Sequence, residues 1–213
     1  MSAGSRARAS GRYAEADPLL RAELRSAVSV AERVTALNEL GLLDKETGRL
    51  DEARACYLEA LSMVPPNSGE AATLWHNLGG VEHARDRFDA AEEPARRAVL
   101  IRAQLVTDGD LELARDRAAL AGVLVGLGEL DEAATLLERA LEVFAHHAGA
   151  DLDTAVALSN LAAIAYHRGQ PEVAERGYRR ALDLKERVLG SGHPALAITD
   201  QCLAVVTAAP TPG

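Results

Sequence analysis

The 213-residue sequence is poor in aromatic residues: Phe, Trp and Tyr together make up only 3% of it, although hydrophobic residues reach 48%. Alanine supplies most of the difference. β-Sandwiches and β-barrels favour aromatic and β-branched residues, whereas alanine favours close-packed helices. The composition therefore predicts an all-helical protein, and an ordinary apolar fraction with 26% charged residues excludes global disorder.

Cysteine, lysine and long apolar runs are also scarce. Cys56 and Cys202 are the only cysteines and form no C-x-x-C motif, so neither a disulfide framework nor a zinc site is indicated. Lys45 and Lys185 are the only lysines, and the net charge of −9 makes nucleic acid a poor partner. No apolar stretch approaches the ~18 residues that span a bilayer, and residues 1–12 lack the apolar core of a signal peptide. We expect a soluble, cytoplasmic protein without a membrane partner.

Catalytic and cofactor-binding motifs are missing as well. The sequence has no H-E-x-x-H, no G-x-S-x-G and no phosphate-binding loop. His76 and His83 fall on one face of a predicted helix, but the ~10.5 Å between them along its axis is too far for one metal ion. We therefore expect no enzymatic activity, no cofactor and no bound metal.

Internal repetition, by contrast, is abundant. The segment Gly48–Ala53 (GRLDEA) recurs almost unchanged at Gly128–Ala133 (GELDEA), and looser copies end at Ala16, Ala91 and Ala174. We call the last alanine of each copy the anchor, and successive anchors are 37 to 42 residues apart. In most copies a small residue preceded by leucine lies twelve residues before the anchor, a large residue four after it, and an alanine seven after it.

Each repeat is predicted to be a pair of antiparallel helices. The anchor and the alanine seven residues later lie on one face of the second helix, where small residues let backbones approach closely. The turn between the two helices carries a glycine in most copies and Asp86 in one. The predicted helices are 12–27, 31–47, 50–63, 69–85, 89–106, 111–127, 130–146, 152–168, 171–188 and 194–207.

These positions resemble the tetratricopeptide repeat. The segment Trp75-His76-Asn77-Leu78-Gly79 carries the Trp, Leu and Gly of that family, and the later family positions are matched by Tyr57, Ala60 and Pro65. The period near 42 residues and the stretch from Leu189 to Pro194 (LGSGHP) resemble the kinesin-light-chain-like subgroup. Arg117, in contrast, stands where the third repeat should carry the tryptophan.

The resemblance implies an all-α fold, a right-handed α-solenoid of antiparallel helix pairs with about ten helices and no strands. The implied organisation is a disordered tail (1–10), a single domain (11–207) and a second disordered tail (208–213). Within the domain we expect a half repeat 11–30, full repeats 31–67, 68–109, 110–150 and 151–193, and a trailing helix 194–207.

The resemblance also implies a binding groove, because the first helices of tetratricopeptide arrays line the concave surface on which partners usually dock. The matching positions in the first two full repeats are Thr35, Asn38, Glu39, Leu42, Lys45, Thr73, His76, Asn77, Gly80 and His83. Those in the later repeats are Arg115, Ala118, Ala119, Gly122, Ser159, Asn160, Ala163, Tyr166 and His167, followed by Gln201 and Cys202 of the trailing helix.

Asn77 and Asn160 are the groove residues most expected to bind an extended peptide, because a primary amide offers both donor and acceptor to a peptide backbone. The alternative is that both amides only satisfy neighbouring backbone groups. The carboxylate clamp of chaperone-binding relatives is not expected, since Asn38 and Leu42 stand where it needs lysine and asparagine, and Arg115 alone could receive a carboxylate. The mixture of Asn, His, Thr and Ser predicts an uncharged or mixed peptide.

The favoured function is therefore a protein-interaction module whose groove holds a peptide or helix of a partner protein. The alternative is a structural scaffold that self-associates through its ends or its convex face, so a homo-oligomer is the second partner that the sequence allows.

Overall fold

The computed structural model describes residues 1–208 and is helical along nearly all of them. Its α-helices are α1 (Ala3–Ala9), α2 (Tyr13–Ser26), α3 (Val30–Glu46), α4 (Leu50–Leu61), α5 (Gly69–His83), α6 (Phe88–Leu105), α7 (Leu111–Leu127), α8 (Leu130–Phe144), α9 (Asp151–His167), α10 (Pro171–Leu189) and α11 (Ala197–Ala208), and a 3-10 turn (Pro194–Leu196) leads directly into α11. No strand occurs in this part of the chain. The predicted all-α solenoid of helix pairs is confirmed. With the 3-10 turn counted as the start of the last helix, each predicted helix end lies within two residues of the observed one.

Consecutive helices pack as pairs, and the pairs form two compact units. The first unit, Met1–Leu105, contains the pairs α1–α2, α3–α4 and α5–α6, while the second begins at Val106 and contains α7–α8 and α9–α10 with α11 packed on α10. A single domain over 11–207 was the expectation from sequence. In a helical-repeat array each repeat contacts only its neighbours, so contacts are local and the array divides between repeats.

The N-terminal segment is ordered, so the prediction of a disordered tail over residues 1–10 is wrong. Residues 3–9 form α1, which starts at the Ser2 side chain, an acceptor for the Ser5 N–H, and packs on α2. Gly4 lies twelve residues before the anchor Ala16, so α1 is a short first helix and the predicted half repeat is a complete helix pair. At the other end Ala208 belongs to α11, and the rest of the predicted tail, 209–213, lies outside the described residues.

In most pairs, a small residue of the first helix occupies the slot opposite a bulky residue of the second, whereas the pair α5–α6 has Gly79 opposite Ala95. A Cβ added to Gly41 would lie 2.5 Å from the Tyr57 ring, and one added to Gly4 would lie 2.6 Å from a Leu20 methyl group. The same two slots hold Gly79 and Ala95, Ala121 and Leu137, and Ala162 and Tyr178, and all of these residues are buried. Because helices this close leave no room for two large side chains, these small–large pairs set the spacing of each helix pair.

The turns and caps explain where the helices end. The four predicted turn glycines all have positive φ, and Asp86 takes the same left-handed conformation with φ of 56°. A short polar side chain tolerates this conformation better than other non-glycine residues do. The first helices α3, α5 and α7 begin at Ser29, Ser68 and Asp110, whose side chains each accept a backbone N–H of the first turn.

The Gly41–Tyr57 pair gives a stability prediction. Gly41→Ala should lower the free energy of unfolding by about 1–2 kcal/mol, because overpacking against the Tyr57 ring outweighs the gain in helix propensity. The measurement is the midpoint of urea unfolding followed by circular dichroism. Gly69→Ala is the matched control, since a Cβ there meets nothing within 4 Å. Adding Tyr57→Leu, which recreates the Ala121–Leu137 pair of the third repeat, should restore most of the loss, and an undiminished loss in the double variant would contradict the pairing.

Candidate partner-binding face

The first helices of the first unit present the predicted side chains on one face. We call it the α3–α5 face, made of Asn38, Glu39, Lys45, Thr73, His76, Asn77, Gly80 and His83. α3 and α5 contact each other directly, so side chains from consecutive repeats meet across this face. Most of its residues are half-buried, and His83 is exposed with its ring edge-to-face against Phe88.

The two asparagines of this face bind each other. Nδ2 of Asn77 donates to Oδ1 of Asn38 over a distance of 2.8 Å. A primary amide has two N–H donors and two acceptor lone pairs, so one hydrogen bond uses only part of the capacity. This hydrogen bond does not use the amino group of Asn38 or the side-chain oxygen of Asn77. Asn77 thus links neighbouring repeats through a side-chain partner, whereas the alternative role expected from sequence was a hydrogen bond to neighbouring backbone groups.

Arg8 of α1 neutralises the acidic side of the same face. Its Nε lies 3.1 Å from Glu39, and its Nη1 lies 2.7 Å from Glu46. The side chains of Arg8 and Glu39 are only 17% and 18% exposed, which removes Glu39 from the groups free to bind a partner. Sequence reasoning missed Arg8 because residues 1–10 had been assigned to a tail.

Lys45 crosses from the last turn of α3 to α5. A Cβ added to Gly80 would lie 2.7 Å from Nζ of Lys45, so this ammonium occupies the space that the glycine leaves open. Burial lowers the pKa of Lys45, and the negative charge of Glu46 opposes that shift. Thr73 serves the fold instead: its hydroxyl donates to the Gly69 carbonyl and accepts a hydrogen bond from Arg102.

The second unit carries its own set, the α7–α9 face, made of Arg115, Ala119, Gly122, Ser159, Asn160, Tyr166 and His167. Arg115 binds Asp153 through two nitrogens at 2.9 and 3.1 Å and Glu112 at 2.6 Å. Its guanidinium is therefore already paired with two carboxylates of the protein. Ser159 donates to the Ala155 carbonyl of its own helix. Ala118 is buried, which reduces the predicted small-residue stretch to Ala119 and Gly122.

Asn160, Tyr166 and His167 are the groups of the α7–α9 face left for a ligand. The side-chain amide of Asn160 is half-buried and makes no hydrogen bond within residues 1–208. Tyr166 is 39% exposed, and its ring meets the His167 ring edge-on with centroids 6.4 Å apart. On α11, Gln201 is exposed and Cys202 is half-buried against the Tyr178 cluster.

Two buried acids hold neighbouring repeats of the first unit in register, and sequence reasoning missed both. Asp44 accepts from Arg49, which also binds Asp17 of the preceding second helix. Glu82 binds Arg54 of the preceding second helix at 2.9 Å and lies 3.5 Å from Arg87. In the sequence, each of these acids lies nine residues before an anchor and is followed by an arginine five residues after the acid itself. In the second unit, the two acid positions are occupied by Leu124 and Ala165.

Neither a metal site nor a membrane span emerges from the described structure. Within residues 1–208 no group of three or more His, Cys, Asp or Glu side chains could hold a metal ion. No helix of this stretch is long and apolar enough to cross a membrane.

The Glu82 ion pairs give a second stability prediction. Glu82→Gln should lower the free energy of unfolding by about 1–2 kcal/mol, because the carboxylate is only 4% exposed, accepts a charged hydrogen bond from Arg54 and lies 3.5 Å from Arg87. Glu59→Gln is the control, since its ion pair with Arg33 is exposed and should contribute less than about 0.5 kcal/mol. Urea unfolding of both variants measures the difference, and equal losses would argue against a special role for the buried acid.

The sequence matches models of one known protein family. Three family models, each of the tetratricopeptide repeat, match residues 1–68, 70–145 and 154–195. No curated protein matches the sequence.

Solved structures share the fold at low sequence identity. BtubC (BKLC) from P. vanneervenii superposes with a TM-score of 0.70 at 22% identity, covering 88% of this chain and 78% of that one. MamA gives 0.59 at 19% identity, covering 88% and 96%. Nearly identical kinesin-light-chain TPR-like repeats from Podosopora anserina give 0.61 at 18% identity, covering 84% and 87%. At these identities the likeness shows a common fold.

Proposed function

Because the chain belongs to the tetratricopeptide repeat family, we propose that it is a protein-interaction module that binds a peptide or a helical segment of a partner on its first-helix faces. Tetratricopeptide repeats generally mediate contacts between proteins and are generally non-catalytic. The proposal therefore assigns binding, and no chemical step, to this chain.

The observation that supports the proposal is that the α7–α9 face carries a half-buried amide, Asn160, and an exposed aromatic ring, Tyr166, which contacts His167. Its amide has no intramolecular partner among the described residues, so a bound peptide backbone can supply one without breaking an existing hydrogen bond. Its tyrosine offers apolar area together with a polar hydroxyl, the combination that is enriched among residues dominating binding energy. The remaining polar groups of this face, Arg115 and Ser159, are already bonded within the protein.

Binding through these residues predicts a selective loss. Asn77→Ala combined with Asn160→Ala, and separately Tyr166→Ala, should reduce capture of the partner from a native-host extract at least tenfold, as expected for residues that dominate an interface. Quantitative mass spectrometry of affinity-purified wild-type and variant protein makes the measurement. Thr135→Ala is the control, because Thr135 is exposed on the second helix α8 and its hydroxyl bonds its own helix. Unchanged capture by variants with wild-type helical spectra and melting temperatures would refute the proposal.

Self-association is the second candidate function, and the exposed face of α11 favours it. Ile198 is 74% exposed and Val205 is 52% exposed, and at a spacing of seven residues both lie on one side of this helix. A second copy of the chain could cover them. Sedimentation velocity over a hundredfold range of concentration distinguishes the two functions: self-association requires a dimer that Ile198→Glu abolishes, whereas a concentration-independent monomer excludes it.

A further inference from the structure

The helix α11 is a first helix without a second helix of its own among residues 1–208. Its Leu203–Ala204 step lies 42 residues after the Leu161–Ala162 step of α9, so α11 takes the first-helix position of a further repeat. Each earlier first helix packs against the second helix of the same repeat, whereas α11 packs on α10, the second helix of the repeat before it. One side of α11 is therefore left without the helix that covers it in the other repeats.

Two exposed alanines identify this side. The small-residue slot of a first helix and the position seven residues before it lie on one face. In the four full repeats both positions are buried. They are occupied there by Val34 and Gly41, Ala72 and Gly79, Ala114 and Ala121, and Ala155 and Ala162. In α11 they are occupied by Ala197 and Ala204, and both of these residues are exposed.

In the full repeats, the second helix of the same repeat covers these two positions. Gly41 lies against the Tyr57 ring of α4. Ala155 belongs to a buried cluster with Ala181 and Leu184 of α10. A helix is therefore the shape that fits this side of a first helix.

The opposite side of α11 is already fixed to the fold. Thr199 and Val206 are buried, and the Thr199 hydroxyl accepts a hydrogen bond from Lys185 of α10 over 2.6 Å. Val206 belongs to the buried cluster that contains Tyr178 of α10. At 3.6 residues per turn, Thr199 and Val206 point roughly 140° or more away from Ala204. The exposed alanines thus belong to a helix that is docked through its other side.

The chemistry of this side restricts what can cover it. The only charged residue of α11 is Asp200, which lies on the same face as Ala197 and Ala204, and we call these three residues the open side. The Asp200 carboxylate is exposed and makes no hydrogen bond or ion pair within residues 1–208. Because a buried charge has to be paired, a helix that covers the open side must bring a cation.

We propose that the open side of α11 binds one helix of a partner protein, which takes the position of a second helix. The best template for that helix is α10, because it covers alanine at both of the corresponding positions of α9, Ala155 and Ala162. The partner helix should carry a bulky apolar residue against Ala204, an alanine three residues later against Ala197, and a Lys or Arg beside Asp200. This site lies outside the α3–α5 and α7–α9 faces and goes beyond the proposed function.

A peptide with the sequence of α10, Pro171–Leu189, is the direct probe. It carries Tyr178, Ala181 and more basic than acidic residues. One helix makes a small interface and binds weakly, so the titration into the full ¹⁵N-labelled chain should extend to millimolar peptide. We expect the backbone amide signals of residues 197–207 to shift saturably while those of α9 do not move. A titration without saturation, or with shifts on α9 that show exchange with α10, would overturn the inference.

Variants on both molecules test the fit. In the peptide, Tyr178→Asp removes the bulky residue and should weaken binding at least tenfold. In the chain, Ala204→Arg should have the same effect, because a long cationic side chain prevents close approach and repels the cation of the peptide. Ile198→Arg is the matched control, since it adds the same charge to an exposed position of α11 that points roughly 100° or more away from the open side.

The charge on the open side has its own test. Asp200→Asn should weaken peptide binding several-fold, whereas Glu52→Gln, which removes the charge of an exposed acid on α4, should leave it unchanged. All substituted positions of the chain are exposed, so the melting temperatures should stay at the wild-type value. Equal affinities of the wild type, Ala204→Arg and Asp200→Asn would refute the inference.

Sedimentation velocity of the chain alone tests whether a second copy occupies the open side. The inference requires that Ala204→Arg leave the sedimentation coefficient unchanged at every concentration. A wild-type dimer that Ala204→Arg dissociates and Ile198→Arg does not would assign the open side to a second copy and would overturn the assignment to a partner helix.

Discussion

The close crossing of the two helices in each repeat is the constraint on which the other features depend. A glycine or alanine on the first helix lets the second helix approach closely, and in most repeats a tyrosine or leucine fills the remaining space, as Gly41 and Tyr57 show most tightly. Because this contact recurs at fixed positions in every repeat, each first helix presents the same face to solvent. The surfaces available to a partner are therefore a by-product of how the core is packed.

The two units share this helix packing but differ in how the charged residues of their first helices are paired. In the first unit, buried acids and arginines join successive repeats, and Arg8 pairs with Glu39 and Glu46. In the second unit, the corresponding acid positions are Leu124 and Ala165, and the single arginine of the face is neutralised by Asp153 and Glu112. What remains there is an amide and an aromatic ring. The two faces thus differ in the residues that their charged groups pair with.

The fold could be predicted from the sequence because the residues that determine it recur periodically. The faces could be predicted only in outline, because the polar residues that distinguish them do not recur from repeat to repeat. The slots of Gly41, Tyr57 and the turn glycines follow from repetition alone, and Asp86 could be recognised as a turn residue from its place in the frame. The helix α1 escaped notice since seven residues rich in Ser, Arg and Ala carry little periodicity. Whether a polar residue is free or consumed depends on contacts between repeats, as with Arg115, and no residue spacing within one helix reports them.

The small–large pairs also restrict how such a chain can change by recombination. The two members of each pair, such as Gly41 and Tyr57 or Ala121 and Leu137, lie on opposite sides of the turn that joins their helices. A crossover between repeats carries both members of a pair together and preserves the fit. A crossover inside the turn would join members of different pairs, for example Gly41 with Leu137, and would leave a void where the Tyr57 ring packs. The helix pair is consequently the smallest segment that can be duplicated or exchanged without refitting its core.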